Sequence, residues 1–135
     1  MKSWSIPNKK LKYEIKHDWL LDIVIGREGT PLANKIVSIG GESCLISKLK
    51  NGARVKTIKF DESYFSVAVN KAQTLIALGT SNNVTFIETT NFIKVKKVSM
   101  IDVHSEGVIR SIAFNNRNDC MLAVKNDEVH SFSPN

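Results

Sequence analysis

Tyr64-Phe65-Ser66-Val67-Ala68-Val69, Thr74-Leu75-Ile76-Ala77-Leu78, Val84-Thr85-Phe86-Ile87 and Phe92-Ile93-Lys94-Val95-Lys96-Lys97-Val98 are short runs rich in β-branched and aromatic residues. Between them lie Asn70-Lys71-Ala72-Gln73, Gly79-Thr80-Ser81-Asn82-Asn83 and Glu88-Thr89-Thr90-Asn91, all built from turn formers. Short apolar runs bounded in this way predict a four-strand antiparallel meander.

The rest of the chain repeats this unit. Leu20-Leu21-Asp22-Ile23-Val24-Ile25 and Ile109-Arg110-Ser111-Ile112-Ala113-Phe114 match Tyr64 to Val69, with starts at 20, 64 and 109. Second strands are expected at Ile36–Ile39, Leu75–Leu78 and Met121–Val124. Third strands are expected at Ser3–Ile6, Cys44–Ser47, Val84–Ile87 and Val129–Phe132, and fourth strands at Leu11–Ile15, Arg54–Ile58 and Ile93–Val98. A step of about 40–45 residues carrying four strands is the period of a β-propeller blade.

Hydrophobic patterning agrees with the spacing. An inner strand sandwiched between neighbouring sheets is covered on both faces and reads as a near-continuous apolar run. Ile23-Val24-Ile25, Leu75 to Leu78 and Met121 to Val124 read so. An outermost strand meets solvent and alternates, as Arg54-Val55-Lys56-Thr57-Ile58 and Ile93-Lys94-Val95-Lys96 do. Lysine on such an edge also discourages pairing with another chain.

These features resemble the WD-repeat family over nearly the whole chain. Lys16-His17-Asp18-Trp19-Leu20 and Val103-His104-Ser105-Glu106-Gly107-Val108-Ile109 resemble its Gly-His segment, with Lys16 where glycine is usual. Ser3-Trp4-Ser5-Ile6 resembles the strand ending in Trp-Asp, with Ser5 in place of the aspartate. Gly40-Gly41-Glu42-Ser43 and Asn126-Asp127-Glu128 stand where the family has its tight turn. The copies are degenerate, and the family's hydrogen-bonded set of His, Asp, Ser and Trp is not expected to be complete in any repeat.

The resemblance implies an all-β fold of four-stranded antiparallel blades, about three in number, forming a partial or open propeller. Residues 1–16 would end one blade, 17–60 and 61–98 would form two, and 99–135 would form an incomplete one. A closed ring needs about four to eight blades. The chain is therefore expected to be a segment of a longer propeller or to be completed by another chain, a homodimer included.

Phe65 to Val69, Ala77-Leu78-Gly79-Thr80, His104 with Gly107-Val108-Ile109, Ala113-Phe114 and Leu122-Ala123-Val124 also resemble the last blades of PREB-type exchange factors. That family's members are ER-membrane propellers that load GTP onto the small GTPase initiating COPII coats. The resemblance implies work in ER-to-Golgi vesicle trafficking, a small-GTPase partner and a place at the cytosolic face of the endoplasmic reticulum. The family's catalytic loop and membrane anchor have no counterpart here, so no catalytic residue carries over. Any exchange activity would use a loop outside this chain.

Composition narrows the function classes. The chain has 135 residues, 42% hydrophobic and 24% charged, enough for one ordinary domain. No apolar run approaches the roughly 18 residues of a membrane span. The N-terminus has no apolar signal core, which leads to the expectation of a cytosolic protein. Cys44 and Cys120 fall in predicted strands and are expected to be buried reduced thiols. His17, His104 and His130 have no ligand-like spacing, and nothing in the sequence calls for a metal, a cofactor or a small-molecule substrate. No G-x-S-x-G motif occurs, so a non-enzymatic interaction scaffold is the expected function.

Charge supplies the candidate site. Nineteen Lys and Arg against 13 Asp and Glu leave a net charge of +6. The basic residues gather at the third-to-fourth strand corners and on the outer strands. Lys48, Lys50, Arg54, Lys56, Lys94, Lys96 and Lys97 are the candidate contact rim, joined by Lys9, Lys10, Lys12, Lys16 and Lys59. Such a rim is either a solvated edge or a surface for an acidic protein, an anionic membrane or nucleic acid. Aromatics are not interleaved with the lysines, which argues against single-strand nucleic-acid binding. The long connection 26–34 is either a surface loop or a second partner contact.

Overall fold

The computed structural model describes residues 1–5, 10–99, 107–115, 121–125 and 128–132. Among these the elements are all strands. β1 (Lys2–Ser5) and β2 (Lys10–Glu14) form a two-stranded sheet. β3 (Leu20–Ile25), β4 (Lys35–Gly40), β5 (Ser43–Lys48) and β6 (Arg54–Lys59) form a four-stranded sheet in chain order. β7 (Ser66–Val69), β8 (Leu75–Gly79), β9 (Asn83–Glu88) and β10 (Lys94–Ser99) repeat it, and β11 (Ile109–Phe114), β12 (Met121–Lys125) and β13 (Glu128–Phe132) form a three-stranded sheet. Every pairing is antiparallel.

Local chemistry fixes the turns. Asn70 closes the β7–β8 connection: its Oδ1 accepts from the backbone N–H of Thr74 and Leu75 at 2.8 and 3.0 Å. Glu88 does the same after β9, accepting from the backbone of Thr90 and Asn91 at 2.7 Å each. These bonds outweigh desolvation and hold the Glu88 carboxyl below its ordinary range. In the β4–β5 turn Gly40 is required by packing, because a Cβ there would lie 2.6 Å from the Asp18 carbonyl oxygen.

The sheets pack in series, and each core lies between neighbours. Val37, Ile39, Cys44 and Ile46 of the first four-stranded sheet meet Val67, Ile76, Leu78 and Ile87 of the second, with Leu32, Tyr64 and Phe92 filling the ends. Ala77, Val84 and Phe86 meet Ile109 and Ile112 of the third, with Phe86 and Phe114 edge to face at 6.4 Å. Ile15 covers Ile36 and Leu45 on the opposite face of the first sheet. Because all three clusters join consecutive sheets, the chain forms an arc of blades, as the repeat predicts.

Some expectations change in detail. The strand expected from Tyr64 begins at Ser66. The fourth strand of the second sheet runs Lys94–Ser99 rather than 93–98. Ile23-Val24-Ile25 was expected to be covered on both faces; instead β3 alternates, with Ile23 at 40% and Ile25 at 54% exposure. Its forward face packs on the next sheet while its backward face is open. Cys120, residues 103–106 with His104, the turn at Asn126-Asp127, and Ile6 and Lys9 lie outside the described residues.

Candidate partner-binding surface

All seven candidate rim residues are exposed. Lys48 ends β5, Lys50 lies in the following turn, Arg54 and Lys56 are on β6, and Lys94, Lys96 and Lys97 are on β10. The first outer strand reaches the turn before the second: Lys56 Nζ donates to the Asn91 carbonyl at 3.0 Å, across 35 residues of sequence. Lys97 is engaged differently, in an ion pair with Glu62 at 2.9 Å that raises its pKa above the ordinary lysine value. Val55, Ile93 and Val95, 43%, 55% and 55% exposed, lie among the cations. The rim thus carries exposed apolar side chains among its cations, a character that charge counting alone does not reveal. Lys12, Lys16 and Lys59 are exposed as well.

A concavity of about 1010 Å³ opens at the end where the β2–β3 and β4–β5 connections meet. Trp19, Leu21, Phe60 and Phe65 line it together with Lys16, His17, Arg54 and Lys59. Trp19 is 84% exposed and sits at φ 55°, a left-handed conformation costly for a large side chain. Its exposure follows from the open side of β3 and could not be read from the apolar pattern.

Beside it, His17 bridges two strands of the first sheet. Nδ1 lies 2.9 Å from Ser38 Oγ, and Nε2 lies 2.9 Å from Ser43 Oγ. Burial lowers the His17 pKa, outweighing the Gly40 carbonyl and Asp18, which raise it. The neutral ring donates from one nitrogen and accepts at the other, so both serines are engaged. This is part of the hydrogen-bonded set expected to be incomplete, with Ser43 beside the turn as its third member.

Connection 26–34 is tied down. Arg27 N–H and Thr30 Oγ1 both donate to Gln73 Oε1, at 2.8 and 2.7 Å, and the Arg27 guanidinium donates to the Lys71 carbonyl. Leu32 is fully buried in the core. The loop therefore clamps the first sheet to the second.

Cys44 is fully buried, and burial pushes its thiol pKa up to about 12. Among the described residues there is no group of three or more His, Cys, Asp or Glu that could hold a metal. No helix among them is long and apolar enough to cross a membrane.

Four-stranded antiparallel sheets stacked face to face in series define a partial β-propeller fold. Two solved structures share this arrangement. The chain is similar to U3-55K, with a TM-score of 0.71 and 14% identity, over 85% of this chain and 36% of that one. It is similar to the RRP9 WD40 repeats with the same TM-score and identity, over 85% of this chain and 35% of that one. At 14% identity the likeness establishes the fold, and the chain spans about a third of the length of these structures. They lend no support to the exchange-factor likeness. No family model and no curated protein matches the sequence.

Proposed function

We propose that the chain is a non-enzymatic WD-repeat scaffold that binds an acidic protein partner through its basic outer rim. The observation that carries this reading is the exposure of the basic outer strands β6 and β10, with Lys56 of β6 donating to the Asn91 carbonyl in the turn before β10. Arg54 and Lys56 on the one strand and Lys94 and Lys96 on the other are exposed, as are Val55 and Val95 between them in sequence. An extended acidic segment with intervening apolar residues complements such a surface, and the opposed charges steer the encounter.

Binding of fluorescent poly-glutamate to the full chain tests it. Affinity is expected to fall steeply with salt, since exposed charges are screened within about 8–10 Å. Reversing Lys56, Lys94 and Lys96 to Glu is expected to abolish binding; Lys97 is left intact because it holds Glu62. Binding indifferent to salt and to reversal would refute the reading. Stronger binding to phosphatidylserine vesicles or to RNA than to poly-glutamate would move the site to a membrane or nucleic-acid role.

A small GTPase of ER-to-Golgi transport is the partner that the exchange-factor resemblance suggests, with the chain at the cytosolic face of the endoplasmic reticulum. Pull-down with the wild-type chain, and with the reversed variant as control, tests that narrower reading.

A further inference from the structure

Among the described residues two apolar or small-residue faces are uncovered, and the molecule contains a worked example of the interface that would join them. β3, β7 and β11 hold equivalent places in their sheets. Ile23 and Ile25 pair with Ser38 and Ile36, as Val67 and Val69 pair with Leu78 and Ile76. Val67 points back onto the preceding sheet and is 7% exposed. Ile112, in the same position of β11, is 8% exposed for the same reason. Ile23 and Ile25 point back as well and are uncovered, in a row with Leu21 at 54% and Trp19 at 84%. A contiguous apolar row of this kind is a surface that finds a partner.

The forward faces tell the other half. Asp22 Oδ2 accepts from Val67 N–H of the next sheet at 3.4 Å, and Val24 packs into the same interface. Ser66 Oγ donates to the Ile109 carbonyl of the next sheet at 2.8 Å, and Ala68 packs against Ile109 and Ile112. Ser111 and Ala113 repeat Ser66 and Ala68 one sheet on, and both are exposed. The Ser-x-Ala face that receives a large apolar row within the chain is thus presented again at its far side.

We propose that the chain self-associates head to tail, with the Ser111–Ala113 face of one copy covering the Leu21–Ile23–Ile25 row of the next. This reading is independent of what the basic rim binds. Two different surfaces make the contact heterologous, so it closes into a ring or propagates. Strand positions favour closure. Among the described residues β1 and β2 pair only with each other and, through Met1, Tyr13 and Ile15, pack against Ile36 and Leu45 on the backward face of the first sheet. β11, β12 and β13 of the incoming copy would bring three strands to that face, so β1 and β13 would compete for one place. β1 gives way: it is four residues long, its register is broken between Ser3 and Trp4, and Trp4 is 55% exposed. Each chain then supplies three sheets of four strands, and two copies supply six, within the closing range of about four to eight.

Sedimentation equilibrium of the full chain at micromolar concentration is expected to give twice the 15.1 kDa chain mass. Ile23→Lys and Ala113→Arg are each expected to give monomers with an unchanged β-sheet circular dichroism spectrum. An equimolar mixture of the two variants is expected to restore a dimer, because one intact pair of faces remains. Leu21→Lys replaces Ile23→Lys if the latter loses its sheet signal. A wild-type chain that stays monomeric overturns the proposal, as do aggregates indifferent to both substitutions. So does an Ala113→Arg variant that still dimerises, since that would mean β3 pairs with itself.

Discussion

Replacing His17 with phenylalanine keeps a ring of similar size and removes both nitrogen contacts, to Ser38 Oγ and Ser43 Oγ, each 2.9 Å. A net contribution of roughly 0.5–1.5 kcal/mol per hydrogen bond puts the loss at about 1–3 kcal/mol. The lower end is favoured, because His17 is only part-buried while Ser38, fully buried, keeps a longer bond to the Leu45 carbonyl at 3.4 Å. The effect depends on pH with a definite sign. Burial lowers the pKa of folded His17 below 6.5 despite the opposing pull of Gly40 and Asp18. The contribution is therefore complete above about pH 6.5. It falls as the pH drops, because the unfolded chain takes up a proton that the folded chain refuses, and it levels off below the folded pKa. The slope cannot exceed about 1.4 kcal/mol per pH unit for one proton, and partial exposure makes it shallower. Urea unfolding of wild type and His17→Phe, followed by circular dichroism at pH 7.5, 6.5 and 5.5, measures both effects. The gap between the two proteins should be widest at pH 7.5 and narrow on acidification. A gap that widens as the pH falls, or no gap at pH 7.5, would refute the reasoning.

Ile76→Ala, in the fully buried core between the two four-stranded sheets, should cost about 2–5 kcal/mol. Ile93→Ala, at 55% exposure, should stay within about 0.5 kcal/mol in the same urea titration. Gly26→Ala would place a Cβ 1.6 Å from the Leu32 carbonyl oxygen, so the clamp must shift; a loss of about 1–3 kcal/mol should appear as a lowered melting temperature. With its pKa pushed up to about 12, the buried Cys44 thiol should resist a disulfide reagent at pH 8 until urea unfolds the chain. This is measured in a Cys120→Ser background, and rapid labelling of the native protein would contradict the burial.

The periodicity of turn formers and apolar runs was sufficient to place the strands, because both signals are local. A turn needs its own Asn, Gly or Glu, and a strand needs its own alternation. Leu20–Ile25 and Ile109–Phe114 were legible to the residue because each repeats the Tyr64–Val69 run one period away. The outer strands were legible too, since Arg54, Lys56, Lys94 and Lys96 had to alternate with apolar residues on an edge facing water.

What a strand's second face meets is another matter, because that depends on which sheet the rest of the chain lays against it. Ile23 and Val67 occupy equivalent places in similar strands, yet one is 40% exposed and the other 7%. The His17 corner joins residues 21 and 26 positions apart, and the Gln73 clamp joins residues 46 and 43 apart. Polar side chains of this kind carry no periodic signal, and their partners are chosen by the stacking of sheets. The sequence determined strands, turns and the basic edge through local backbone and solvent preferences. Only the tertiary arrangement decided which apolar face was covered, because burial is a property of two surfaces meeting.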